Sequence, residues 1–156
     1  MISIDIPGQE QLHIKHIVLD YNGTLAKDGI PLPGVKEKLN LLSIHINVHI
    51  LTADTFGKCA DACRGINAAV QILKQPVGTE EKEKFVADLG AENVAAVGNG
   101  ANDRLMLARA ALGIVILGPE GAAVKTLQCA DVVVKDINDG LELLMYPQRL
   151  TATLRI

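Results

Sequence analysis

"HIVLDYNGTLAKDG", residues His16 to Gly29, runs from continuous apolar β-formers through an aspartate into a glycine turn. Ile17, Val18 and Leu19 read as a strand buried on both faces, the pattern of parallel sheet. Asp20 arrives where the apolar run stops, and Asn22-Gly23-Thr24 then turns the chain abruptly, leaving backbone N–H groups free. A core strand that ends on a carboxylate, followed by an asparagine where a second carboxylate would suit a metal better, sets the question for the rest of the chain.

Outward from this stretch, extended and helical pieces alternate throughout. The patterning predicts strands over Ser3–Ile6, Leu12–Asp20, Ile44–Thr52, Ala69–Leu73, Val94–Gly98, Gly113–Leu117 and Val132–Val134. Helices are expected over Val35–Leu42, Gly57–Gly65, Thr79–Leu89, Asn102–Ala110, Ala122–Gln128 and Ile137–Leu144, with "TEEKEK" as an acidic helix start and Gly90 as a stop. Such alternation predicts an α/β fold, a doubly wound, mainly parallel sheet flanked by helices, with its site at the carboxyl ends of the strands. The first segment, "ISIDIPG", is expected to form a hairpin with Leu12–Asp20.

Composition agrees with a single domain over residues 1–156. Apolar residues make up 49% but aromatics only 3%, so the core is aliphatic. The net charge of −3, without a large basic block, argues against nucleic acid as the main partner. The longest apolar run, near Ala110 to Leu117, is too short for a membrane span, and the start lacks the basic and apolar regions of a signal peptide. Three cysteines give no disulfide framework and fit a reducing, cytoplasmic setting.

Three strand ends carry polar residues in similar places: Asp20, Asn22 and Thr24; Thr52 and Asp54; and Asn99, Asn102 and Asp103. Taken singly, each is ordinary turn chemistry. If the strands are parallel neighbours, the three sets converge on one crevice, where carboxylates, hydroxyls and turn N–H groups would make a phosphate-plus-cation site.

"DYNGTLA", "LTAD", a lysine in "TEEKEK" and "GNGANDRLML" resemble, in order, the four motifs of the haloacid dehalogenase (HAD) superfamily of phosphohydrolases. The likeness covers roughly residues 14–145 and is nearest to the phosphorylation domain of P-type ATPases and to small soluble proteins related to it. It implies that Asp20 is a nucleophile forming an aspartyl-phosphate. Thr52 and the backbone N–H groups around Asn22, Gly23 and Thr24 would hold the phosphoryl oxygens, and Lys82, or Lys84 in another register, would neutralise charge. It also implies Mg²⁺, held by Asp20, the backbone carbonyl of Asn22, Asn99 and Asp103, the last through water. The substrate would be a phosphorylated small molecule or a phosphoprotein.

Two positions depart from the family pattern. Asn22 stands where an acid–base aspartate is usual, and Asn99 stands in place of a metal-binding aspartate. The resemblance therefore implies a slow enzyme with weakened metal binding; the alternative is a silent member that binds a phosphorylated ligand or partner. The intervals from Leu25 to Thr52 and from Thr52 to Lys82 leave no room for a cap domain. The tail from about residue 145, with alternating Leu150, Ala152, Leu154 and Ile156, reads either as a frayed or locally packed tail or as a segment able to pair across an interface; a homo-oligomer is expected. Cys59 and Cys63 read as buried helix-face thiols, and His45 and His49 as structural or solvated residues of one strand face. "GNGAND" lacks the third glycine of a dinucleotide fingerprint.

Overall fold

The computed structural model describes residues 1–54 and 58–156. In chain order its elements are β1 (Ile2–Ile4), β2 (Leu12–Ile14), β3 (His16–Asp20), β4 (Ala26–Lys27), β5 (Ile30–Pro31), α1 (Val35–Leu42), β6 (Asn47–Thr52), α2 (Lys58–Ala62) and β7 (Ala69–Ile72). There follow α3 (Thr79–Asp88), β8 (Val94–Gly98), α4 (Arg104–Arg109), β9 (Leu112–Ile116), α5 (Val124–Leu127), β10 (Val132–Val134), α6 (Ile137–Met145) and α7 (Gln148–Leu154). Short 3₁₀ turns at Ala91–Asn93 and Ala101–Asp103 lead into β8 and α4.

Among the described residues, six strands form one sheet in the order β10-β9-β8-β3-β6-β7, every pair parallel. From β3 the chain builds outward through β6 and β7, then crosses to β8 and builds the other way. The reversal falls beside β3, the switch point at which open α/β sheets place their ligands. The doubly wound fold expected from the alternation is the observed one.

Side-chain alternation along β3 decides what each face receives. Ile17 and Leu19 join a cluster with Val35 and Leu39 of α1 and Leu141 and Leu144 of α6. Val18 joins the opposite cluster, with Val86 of α3 and Met106 and Leu107 of α4. All three strand residues are fully buried, each contributing about 1.5–3 kcal/mol. Two residues beyond Val18, Asp20 lies on the face covered by α3.

Several boundaries differ from the sequence reading, each for a local reason. The strand expected over Ile44–Thr52 begins at Asn47, because the N–H groups of His45 and Ile46 both bond to the Leu42 carbonyl and close α1. The run Leu12–Asp20 divides at Lys15: β2 pairs antiparallel with β1, and β3 enters the main sheet. Of the helix expected over Gly57–Gly65, α2 spans Lys58–Ala62, and Gly57 lies outside the described residues. "AKDGIP" forms an unanticipated hairpin, β4 with β5, across Asp28-Gly29. Both turn residues have positive φ, 52° and 78°, which asparagine, aspartate and glycine tolerate.

Of the two readings of the tail, the locally packed one is observed, as a helix and not an extended pairing segment. Leu150 and Leu154 sit at i,i+4, a spacing that serves a helix as well as alternation serves a strand, and α7 forms after Pro147. Leu150 is buried. The Thr151 hydroxyl donates to the Asp5 carbonyl, and Ile156 N–H to that of Pro7, so the tail packs on the chain's own N-terminal segment. No described helix is long and apolar enough to cross a membrane.

Candidate active site

Asp20 ends β3, Thr52 ends the neighbouring β6, and Asn99 follows the last residue of β8 on the other side. The topology thus brings all three polar strand ends to one carboxyl edge. The Thr24 hydroxyl lies 3.3 Å from Asp20 Oδ2 and 3.2 Å from Asn99 Oδ1, so its one proton can serve either.

Lys82 is the centre of the cluster. It enters from the first half of α3, one helical turn before Val86, on the face that packs against β3. Its ammonium donates to Asp20 Oδ1 at 2.5 Å and to Asp103 Oδ1 at 2.7 Å, and the side chain is 1% exposed. Lys84, two residues on, faces outward and pairs with Asp88 on the surface. Helical periodicity therefore selects Lys82 as the lysine of the crevice.

Asp103 is held from every side. Its second oxygen accepts the N–H groups of Asn99, at 2.9 Å, and Gly100, at 2.8 Å. A Cβ on Gly98 would fall 2.5 Å from the Asp103 carboxyl carbon, so only glycine admits this approach. With both oxygens engaged, Asp103 orients Lys82 and the turn after β8.

Asn99 holds the structure together through its amide. Nδ2 donates to the Gly121 carbonyl at 2.8 Å, and its backbone carbonyl accepts from Ala123 N–H. Both bonds draw the segment after β9 down onto the Gly23 turn. Asn22 is exposed on the turn that follows β3. The turn N–H groups expected to be free are partly engaged: Gly23 N–H bonds to the Ala26 carbonyl at 2.8 Å and Thr24 N–H to that of Tyr21 at 3.3 Å, because the tight turn closes on itself. Thr52 Oγ1 is enclosed beside the Cys59 thiol, a contact that pulls the thiol down against its other neighbours, and no other hydrogen-bond partner reaches it among the described residues.

Burial, then the nearby Asp103 charge, pushes the Asp20 carboxyl up to about 7, against the opposing pull of Lys82 and Thr24. Burial alone would lower the Lys82 ammonium, but Asp20 and Asp103 outweigh it and hold its pKa raised. The trio carries two carboxylates to one ammonium. Because the folded-state pKa of Asp20 is raised, its contribution to stability is full below the unfolded value near 4 and is lost as pH rises through about 7. Asp20→Asn, which leaves Lys82 matched one-to-one with Asp103, is therefore expected to stabilise the fold at pH 8 by on the order of 2 kcal/mol, with little gain at pH 4. Thermal unfolding at both pH values, with chelator present, measures it; an equal effect at both would remove the assigned cause.

The other polar residues lie apart from this cluster. Cys59 and Cys63 are buried with sulfurs 3.7 Å apart; their mutual hydrogen bond, then burial, raises the Cys59 thiol above its usual range. His49 contacts His16 at the opposite part of β3, and His45 lies outside the strand. Asp54 accepts the N–H of Cys59 at the start of α2. The sequence reading missed Glu120, whose carboxylate reaches the Gly23 turn. It follows β9, the next strand along the same edge, so the strand-end logic that singled out three sets could have included "GPEG" as a fourth.

No protein-family model matches the chain. Its solved structural relatives include the 3-deoxy-D-manno-octulosonate 8-phosphate phosphatase of Moraxella catarrhalis, in complex with magnesium, phosphate and the sugar, at TM-score 0.67 and 19% identity over 90% of each chain. The cobalt-bound phosphatase of the same name from Haemophilus influenzae gives 0.68 and 14%, over 92% of this chain and 94% of that one. A HAD superfamily protein of subfamily III A from Legionella pneumophila gives 0.68 and 16%, over 90% and 87%. These likenesses show the HAD-like fold. In sequence, the chain is 45% identical over 92 residues to an uncharacterised protein of Methanocaldococcus jannaschii, spanning 55% of this chain and 99% of that protein. A second from the same organism is 51% identical over 39 residues, 25% and 89% respectively. The chain, with its HAD-like fold, belongs to the family of the longer of these two archaeal proteins.

Proposed function

We propose that the chain is a phosphohydrolase or phosphotransferase that works through an aspartyl-phosphate on Asp20. The observation that carries this reading is a fully buried lysine shared between Asp20 and Asp103 at the switch point of the sheet. A buried ion pair is a poor device for stability, because desolvation offsets most of its attraction. Positioned charge around a carboxylate is what phosphoryl transfer needs. Asp20 attacks phosphorus, the bond to the leaving oxygen breaks, and water later hydrolyses the acyl-phosphate to return the free carboxylate and phosphate. Lys82 neutralises charge beside the attacking oxygen. Thr52 Oγ1 and the N–H of Asn22 would receive phosphoryl oxygens; the N–H groups of Gly23 and Thr24 bond to the Ala26 and Tyr21 carbonyls and would have to leave them to do so.

Mg²⁺ suits the available donors, which are all oxygens: the Asp20 carboxylate, the Asn22 carbonyl, Asn99 Oδ1 and, through water, Asp103. Among the described residues no three His, Cys, Asp or Glu side chains gather as a metal cage, in keeping with a cation that retains several waters. When bound, it would supply positive charge beside the transferring phosphoryl group. The motif likeness to P-type ATPase phosphorylation domains supports a reaction in which the phosphoenzyme breaks down slowly. The substrate class is a phosphorylated small molecule or phosphoprotein reaching an uncapped site; the named activity of the phosphatases of similar fold supports the former.

Hydrolysis of a generic aryl phosphate at pH 7–8 with Mg²⁺, compared with Asp20→Asn, tests the reading. Slow turnover that vanishes in the variant is expected. Equal rates would place the activity elsewhere and favour a ligand-binding role.

A further inference from the structure

We propose that Glu120 restores to the cation site the negative charge missing at Asn99, acting on a divalent cation through its water shell. This rests on the Asp20-centred reading above. A Cβ built on Gly23 would lie 2.9 Å from Glu120 Oε2, 2.9 Å from Asn99 Oδ1 and 2.6 Å from Asn99 Nδ2. The Glu120 carboxylate and the Asn99 amide therefore converge on one point above the turn that follows Asp20. Glu120 is exposed, yet Oε1 is anchored by the Asp28 N–H at 3.1 Å, leaving Oε2 toward the crevice.

The segment that carries Glu120 is fixed by the residue whose charge it would replace. Asn99 holds Gly121 with its side-chain amide and Ala123 with its backbone carbonyl. Aspartate at position 99 could not donate to the Gly121 carbonyl and would stand beside the Glu120 carboxylate. The amide and the neighbouring carboxylate are thus a matched pair: one supplies the clamp, the other the charge.

Charge balance points the same way. Asp20, Asp103 and Lys82 together carry one net negative charge when ionised, whereas Glu120 brings the total to two, the complement of a divalent cation. Glu120 does not form a three-carboxylate cage with Asp20 and Asp103, so its effect is long-range attraction and hydrogen bonding to bound water.

Calorimetric titration with Mg²⁺ of the wild type, Glu120→Gln and Asp20→Asn tests this without an activity readout. Glutamine retains the oxygen that accepts the Asp28 N–H, so the segment keeps its anchor. Glu120→Gln is expected to weaken Mg²⁺ binding about tenfold, with a gap that narrows as salt rises, because the effect is electrostatic and partly exposed. Unchanged binding in Glu120→Gln, while Asp20→Asn abolishes it, overturns the role of Glu120 and leaves the Asp20 site standing. A loss independent of salt, with an altered melting profile, also overturns it, since it marks a structural role. Absence of Mg²⁺ binding in the wild type removes both the cation site and this inference.

Discussion

Asn22→Asp is expected to raise phosphate-ester turnover by at least one decade. A positioned acid–base group contributes typically 10²–10⁴-fold, and asparagine can orient a water but cannot take its proton at neutral pH. Attack by Asp20 needs orientation and neutralised charge, which Lys82 supplies. Hydrolysis of the resulting acyl-phosphate also needs a base near the incoming water. The second step should suffer at least as much as the first, so phospho-Asp20 should accumulate in the wild type and not in Asn22→Asp. Asn22 is exposed on its turn, so the exchange should leave stability within about 0.5 kcal/mol. Steady-state rates and intact mass on fresh protein measure both effects. Freshness matters because Asn22 and Asn99 both precede glycine. The N–H that starts deamidation is bonded at both sites, Gly100 to Asp103 and Gly23 to the Ala26 carbonyl, so the exposure of Asn22 makes Asn22-Gly23 the more vulnerable bond. Equal turnover by both proteins would exclude Asn22 as the substituted acid–base position.

Lys82→Met should be the most damaging single exchange in the molecule. It keeps most of the apolar stem of the lysine but leaves Asp20 and Asp103 facing one another without a cation. Breaking a buried pair in this way costs about 3–5 kcal/mol. The sign of the pH dependence follows from the raised pKa of Asp20. Without the pull of Lys82 the Asp20 carboxyl rises further, so the variant goes on losing stability with rising pH after the wild-type carboxyl has ionised, and the loss should be larger at pH 8 than at pH 5.5. Urea unfolding at the two pH values reads this directly. Adding Asp20→Asn to Lys82→Met should recover a large part of the loss, giving a non-additive cycle. Additive effects would mean that the three groups do not share one electrostatic unit.

The fold was legible wherever a side chain's period coincided with a sheet or helix face. Ile17-Val18-Leu19 announced a two-sided buried strand, and the polar residues at three strand ends announced a shared crevice. Lys82 and Lys84 could not be separated by composition; the i,i+4 relation of Lys82 to buried Val86 separates them. Boundaries failed where a longer-range bond decided them. Lys15 interrupts the first long run because its N–H bonds to the Asn93 carbonyl, a partner far away in sequence. The extended alternative for the tail failed, and the locally packed one held, because leucines four apart satisfy both periods and only the N-terminal segment it packs against makes the helix the better choice. The clamp made by Asn99 was invisible for a related reason. Its partners, Gly121 and Ala123, are unremarkable loop residues, and the relevant groups are backbone carbonyl and N–H, which no side-chain pattern reports. Asn99 therefore read simply as a lost carboxylate, whereas the structure shows an amide making a bond that a carboxylate could not.

On the proposed reading Asp20 accepts a phosphoryl group. Brief incubation of fresh wild-type protein with acetyl phosphate and Mg²⁺, acid quenching and peptide mass analysis tests it most directly. A single added phosphoryl group is expected on the peptide containing Asp20, absent in Asp20→Asn and depleted in Asn22→Asp. Failure of the wild type to acquire label at Asp20 under conditions where it demonstrably binds Mg²⁺, or label that persists in Asp20→Asn, would contradict it.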